Sequence, residues 1–148
     1  MRIRLLSPGG EGDVVRASHL LDEPPDPDAV RSYLADERNV FFLAEEKGRA
    51  VGFLRGTAFG QLKSTRNQMF LYEIEVESGH RRLGIGTELV QRLIAYCQER
   101  EFEEIFVFTD PSNVAAVSLY RSTGAVTETP ADRMFVYQLL GTTGVATP

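Results

Sequence analysis

The chain has 148 residues, 43% hydrophobic and 25% charged, which is enough for one compact domain with a full core and short for two. Its formal net charge of -5 argues against bulk nucleic-acid binding and is compatible with a cationic partner. No apolar run approaches a membrane span, the start MRIRLLSPGG lacks the features of a secretory leader, and the single Cys97 cannot form an internal disulfide, so a cytoplasmic protein without membrane or nucleic-acid partners is expected.

Arg2 to Leu6 reads as a short first strand. EGDVVRASHLL (11 to 21) and DPDAVRSYLADE (26 to 37) read as two helices separated by a Pro-rich acidic turn. NVFFLAEE and RAVGFLRGTAF flank Lys47-Gly48, a hairpin signal between two antiparallel strands. After the polar loop GQLKSTRNQ, MFLYEIEV (69 to 76) alternates as a strand, with Phe70, Tyr72, Ile74 and Val76 on one face and Leu71, Glu73 and Glu75 on the other. From Gly84 to Arg100, the residues Leu89, Val90, Leu93, Ile94 and Cys97 recur at helical spacing, which assigns Cys97 to core filling rather than reactivity. EEIFVFTD (103 to 110) is a further strand, SNVAAVSLYRST (112 to 123) a helix stopped by Gly124, and RMFVYQLL (133 to 140) a last strand. Residues 141 to 148 are expected to be a disordered tail, leaving a single domain over 1 to 140 with no internal repeat.

This order suits an α/β fold with a mixed sheet and helices on both faces. Strand 69 to 76, helix 84 to 100 and strand 103 to 110 make a βαβ unit, whose two strands should be parallel. SGHRRLGIGTEL (78 to 89) therefore lies at the carboxyl end of a strand and the amino end of a helix, where unpaired N–H groups and the helix dipole attract anions. It is not a P-loop, since Ile85 and Gly86 stand where Lys and a hydroxyl residue are required after Gly79 and Gly84. Nor is it a dinucleotide fingerprint, because no glycine follows Gly86 three residues on. What remains is Arg81, Arg82, Leu83, Gly84, Ile85, Gly86: backbone donors in a tight loop with two cations beside them, suited to a diphosphate.

With that loop and NVAAVSLYRSTGA (113 to 125) in order on the expected elements, the chain resembles the GNAT superfamily of acetyl-CoA-dependent N-acetyltransferases over roughly residues 39 to 140. The resemblance implies a mixed central sheet of six to seven strands flanked by helices on both faces. It also implies a splay between strands 69 to 76 and 103 to 110, into which the pantetheine arm enters. Main-chain groups of Ile74, Glu75 and Val76 would hold that arm, and Arg81, Arg82, Leu83, Gly84, Ile85, Gly86 and Thr87 the diphosphate, with Asn113 and Tyr120 contributing from the second motif. Acetyl-CoA is the expected co-substrate, with no metal.

Acetyl transfer needs an amine that loses a proton and an acid for the departing sulfur. Tyr120, at the position of the family's helix tyrosine, is the candidate acid; the alternative is a tyrosine packed in the core. The candidate bases are Asp110, Glu73 and Glu75. Asp110 ends a strand where α/β active sites collect, but an Asp before Pro111 and a helix is equally a turn or cap residue. Glu73 and Glu75 share a face of a strand that ought to be central, which suggests a wet cleft or a solvated strand end.

MFLYEIEVESGHRRLGIG and VFTDPSNVAAVSLY are similar to the GNAT-type aminoglycoside 3-N-acetyltransferases, which carry carboxylates at the positions of Glu73 and Asp110. That similarity implies a small cationic amine as acceptor, reinforced by Asp22, Glu23 and Asp26 in the acidic turn. Glu75 stands where a small residue is expected, and residues 7 to 38 match the group only loosely. A protein or peptide amine acetyltransferase and a non-catalytic acyl-CoA-binding module are the alternatives, and a homodimer is compatible with the surfaces of helix 84 to 100 and the last strand.

Overall fold

The computed structural model describes residues 1–127 and 135–139. The strands are β1 (Arg2–Leu5), β2 (Asn39–Glu46), β3 (Arg49–Phe59), β4 (Gln68–Val76) and β5 (Glu104–Phe106). They form one sheet in the order β1-β2-β3-β4-β5, antiparallel from β1 to β4 and parallel between β4 and β5. The helices are α1 (Glu11–Arg16), α2 (Pro27–Ala35), α3 (Ile85–Glu99) and α4 (Val114–Ser122).

Two hydrophobic cores follow from this layering. On one face, Val40, Phe42, Leu54, Met69 and Leu71 pack under Ile85, Leu89, Leu93 and Cys97 of α3. On the other, Phe41, Leu43 and Phe53 pack against Val14, Leu20 and Leu34 from α1, α2 and the 3-10 turn Ser18–Leu20 between them. β2 is thus apolar on both sides, which is why NVFFLAEE reads as a nearly continuous hydrophobic run. α2 begins where the sequence signals it, with the Asp26 carboxylate accepting the Asp28 N–H at 2.8 Å and Pro27 in the first turn. Cys97 is buried, and burial pushes its thiol up to about 11, as suits a core residue.

Three sequence expectations need correction. The sheet of the described residues has five strands, not six to seven: Phe135 to Leu139, within the expected last strand 133 to 140, adopt no strand and are largely exposed. The other residues of that segment, and the tail 141 to 148, lie outside the described residues. The strand expected over 103 to 110 is confined to Glu104–Phe106, because its pairing with β4 stops there. Periodicity shows that a segment is apolar and extended, not that it has a neighbour to bond to.

The third correction concerns the faces of β4. Arg55 pairs with Glu73 and Gly56 with Leu71, so Tyr72 has no partner of its own on β3. This bulge shifts the phase of the strand. Met69 and Leu71 before it, and Ile74 and Val76 after it, all pack with the α3 core, whereas Tyr72 and Glu73 both meet Arg55 on the opposite side. Strict alternation had grouped Tyr72 with Ile74 and Leu71 with Glu73. Gly56 permits the bulge: a Cβ there would stand 2.7 Å from the carbonyl oxygen of Phe70 and 3.1 Å from Met69 Sδ. Gly56→Ala is expected to destabilise the fold by about 1–3 kcal/mol through overpacking against backbone, measured by urea unfolding at an unchanged m-value.

Candidate active site

The site gathers where β4 and β5 part. Their parallel pairing covers Gln68↔Glu104, Met69↔Ile105 and Phe70↔Phe106, and then ends. Leu71–Val76 therefore run on with no partner strand on the β5 side among the described residues, and their main-chain groups form an open edge.

At the end of β4, the 3-10 turn Ser78–His80 leads into the glycine loop. Two anchors hold the turn: the Glu77 N–H donates to Val51 O at 2.8 Å, and the His80 ring lies 3.1 Å from Glu46 and 3.0 Å from Glu77. The loop then turns through positive φ at Arg82 (65°) and Gly84 (81°) before α3 starts at Ile85. Gly84 is the N-cap of α3 and offers no side-chain cap, so the first-turn N–H groups are left for water or an anion. Apart from its own chain neighbours, none of the described residues comes within 4 Å of a Cβ built on Gly84. Gly52 lets the end of α3 settle on the sheet, since a Cβ there would stand 3.0 Å from Glu75 O and 3.3 Å from Ile85 Cγ2.

The two arginines of the loop divide. Arg81 reaches back, donating from Nε to Val76 O at 3.2 Å and pairing with the Glu75 carboxylate at 3.0 Å. It fixes the loop to the end of β4 and gives Glu75 a partner of its own. Arg82 and Leu83 are exposed. Ile85 is buried under the sheet, with Gly86 and Thr87 half-buried in the first turn of α3. Gly86 faces α4, where a Cβ would meet Leu119 Cδ2 at 3.3 Å.

On the β5 side, Asp110 and Asn113 shape the start of α4. The Asp110 carboxylate accepts the Ser112 N–H and hydroxyl, both at 2.8 Å, and Asn113 Oδ1 accepts the Ala116 N–H at 3.1 Å. Those donors hold the Asp110 carboxyl below its ordinary range, making it a weaker base. Asp110 thus takes the turn role that its place before Pro111 allowed, and Asn113, expected only as a cofactor contact, is the N-cap of α4.

Tyr120, from α4, lines a cavity of about 270 Å³ with Leu71, Val90, Phe102 and Val107. Burial raises its phenol above the ordinary tyrosine value, so the proton is retained at neutral pH.

On the face of α1 and α2 a second cavity, of about 250 Å³, is lined by Val14, Leu21, Asp26, Val30, Phe41 and Tyr33, with Arg55 and Glu73 in its wall. Glu73 accepts from Arg55 Nε at 2.7 Å. The guanidinium also lies 4.2 Å from the Tyr72 ring centroid and 5.7 Å from that of Tyr33. The Tyr33 hydroxyl is turned to the carbonyls of Val40 (2.8 Å) and Gly56 (3.0 Å), and burial pushes its pKa up to about 12. Sequence reasoning passed over Arg55 and Tyr33. The available signal was an arginine in the middle of an otherwise apolar strand, opposite a strand that itself carries a glutamate.

The Acetyltransferase (GNAT) family model matches residues 14–125. Among curated relatives, rat N-acetyltransferase 8 is 31% identical over 97 residues, 66% of this chain and 44% of the relative. Mouse N-acetyltransferase family 8 member 3 is 29% identical over 97 residues, again 66% of this chain and 43% of the relative. The match thus spans less than half the length of these relatives. Among solved structures, the aminoglycoside acetyltransferase meta-AAC0020 from an uncultured soil metagenomic sample, in complex with trehalose, superposes with a TM-score of 0.85 at 25% identity, covering 93% of this chain and 95% of that one. A ribosomal-protein-alanine N-acetyltransferase from Brucella melitensis, at 20% identity and a TM-score of 0.73 over 94% of this chain and 100% of that one, shares the fold. With the family model spanning the open β4 edge, the glycine loop and the helix that carries Tyr120, the chain belongs to the acetyltransferase (GNAT) family.

Proposed function

We propose that the protein transfers an acetyl group from acetyl-CoA to the primary amine of a small molecule. The observation that carries this reading is the parting of β4 and β5 after three residue pairs, next to a helix N-terminus that has a left-handed glycine and no side-chain cap. Members of the family use acetyl-CoA, and these features fit it. Residues 81 to 87 offer backbone donors and the exposed Arg82 to the diphosphate, while main-chain groups of Ile74, Glu75 and Val76 line the open edge for the pantetheine arm. Val76 O is already engaged by Arg81, so the arm would rely on the other groups of that edge. Asn113 would act by holding the start of α4. Bound acetyl-CoA supplies the acetyl group as an activated thioester. Tyr120 Oη would hold the proton needed by the thiol product, and Glu73 would take the proton of the amine, directly or through water.

An aminoglycoside acceptor, including one acetylated at the 3-N position, is a second reading. It is favoured by the likeness to meta-AAC0020, which has also been solved with sisomicin, and by Asp26 in the wall of the cavity beside Glu73. A thiol-release assay with acetyl-CoA against aminoglycosides, amino acids, polyamines and peptides tests both readings. Release with some small amine supports the enzyme; rapid acetylation of peptide amino termini alone would move the acceptor to a protein, and acetyl-CoA binding without release on any amine would make the chain a binding module.

The donor half of the site is tested separately. Gly84→Val places a β-branched residue at a φ of 81°, a conformation that costs L residues about 1–2 kcal/mol, and pushes atoms toward the space left for the diphosphate. Affinity for acetyl-CoA is expected to fall at least about tenfold by calorimetry in a folded variant. Unchanged affinity would remove the loop from the donor site.

A further inference from the structure

The cavity between α2 and β4 has a composition that a polycation does not call for. Its wall is mostly apolar, contributed by Val14, Leu21, Val30 and Phe41, yet it contains a cation, Arg55, set beside Glu73. The hydrogen bond between them uses Nε of the arginine alone. A planar guanidinium has four further N–H donors on its terminal nitrogens, in a fork suited to a carboxylate. The two side chains remain about a third exposed, at 32% for Arg55 and 30% for Glu73, so both are reachable from the cavity. Tyr72 and Tyr33 lie beside the guanidinium and limit its movement.

We propose that the acceptor is an amine that also carries a carboxylate close to the nitrogen and has an apolar body: a free amino acid or an amino-acid conjugate, its carboxylate held by Arg55 while its amine faces Glu73. The inference deepens the small-amine acetyltransferase reading and rests on it. It separates the acceptor from an aminoglycoside, which offers Arg55 no anion. A zwitterion meets both members of the Arg55–Glu73 pair, its carboxylate at Arg55 and its ammonium at Glu73 with Asp26 adding to the attraction for the nitrogen, while the apolar body enters the space lined by Val14, Leu21, Val30 and Phe41. Placing both charges at once also orients the nitrogen, which a single ionic contact does not. Arg55 is a positioning residue on this account, acting on the carboxylate and not on the reacting atoms.

The test compares L-phenylalanine with phenylethylamine, which keeps the ring and amine and lacks the carboxylate. Wild-type protein is expected to show kcat/KM at least about tenfold higher for phenylalanine, with a matching difference in binding by calorimetry. Arg55→Met should bring both ratios close to one. Arg55→Lys keeps a charge without the fork, and should retain part of the preference and guard against misfolding of the methionine variant. A preference that survives Arg55→Met in folded protein overturns the proposal, as does a wild-type protein that acetylates sisomicin faster than either probe. Failure of the enzyme reading is recognised separately: no amine releases thiol from acetyl-CoA, while the calorimetric comparison of the two probes still decides the role of Arg55.

Discussion

Tyr120→Phe should lower turnover by roughly 10²-fold while leaving the affinity for acetyl-CoA nearly intact. The substitution removes one hydroxyl from a ring that lines a cavity with Leu71, Val90, Phe102 and Val107, surroundings that accept phenylalanine as readily as tyrosine. No hydrogen bond to that hydroxyl is formed by the described residues, so its loss strands no buried partner and stability should change little. The pH profile supplies a second reading of the same group. Burial raises the phenol's pKa above the ordinary tyrosine value, so the protonated acid persists through neutral pH and is lost only as pH climbs through that raised value. Any decline of wild-type activity between pH 6 and 9 therefore belongs to other groups and should survive in the Phe variant. A wild-type rate in Tyr120→Phe would return the residue to core packing.

The glycine loop proposed to hold the donor was more legible in the sequence than the Arg55–Glu73 pair proposed to meet the acceptor, for a physical reason. The glycine loop and the start of α3 are local: Arg81 to Gly86 are consecutive, and the helical recurrence of Leu89, Val90, Leu93 and Cys97 fixes where the N-terminus must lie. The pairing of Arg55 with Glu73 joins residues 18 apart across two strands, and it depends on a bulge that alternation cannot reveal. A one-residue slip reverses which side chains share a face. That is how Tyr72 came to be grouped with Ile74, although it stacks with Arg55 on the opposite side of the sheet. Gly56 was visible as a glycine within a strand, a recognised sign of a bulge, but its consequence for the faces of β4 required the register. The shortness of β5 was hidden for a similar cause: FVFTD is as apolar at its start as a strand that goes on pairing, and only the path of β4 beyond Phe70 tells the two apart.

Glu73→Gln is expected to produce the largest loss at the acceptor, ~10 to 10³-fold in kcat/KM, with stability nearly preserved. Three candidate carboxylates were evident from the sequence, and their present partners separate them. Glu75 is paired with Arg81 at the mouth of the glycine loop. Asp110 spends its carboxylate on the Ser112 N–H and hydroxyl and is held below its ordinary range, which weakens it as a base. Glu73 alone of the three lines the cavity of the α1 and α2 face. Replacing it by glutamine keeps an oxygen for Arg55 Nε but removes the negative charge, leaving Arg55 to repel an approaching ammonium as well as depriving the amine of its base. Both effects act in the same direction, so the loss should appear in KM and kcat together, and added salt should partly offset the KM component by screening the repulsion. Asp110→Asn retains an acceptor oxygen for Ser112 and should cost no more than about threefold if Asp110 is structural, whereas a base at that position would lose at least ~10-fold. Steady-state kinetics of the two variants at low and high salt decide between them: a larger loss in Asp110→Asn than in Glu73→Gln would move the proton-accepting role to the start of α4 and leave the Arg55–Glu73 pair as a cross-strand contact of the sheet.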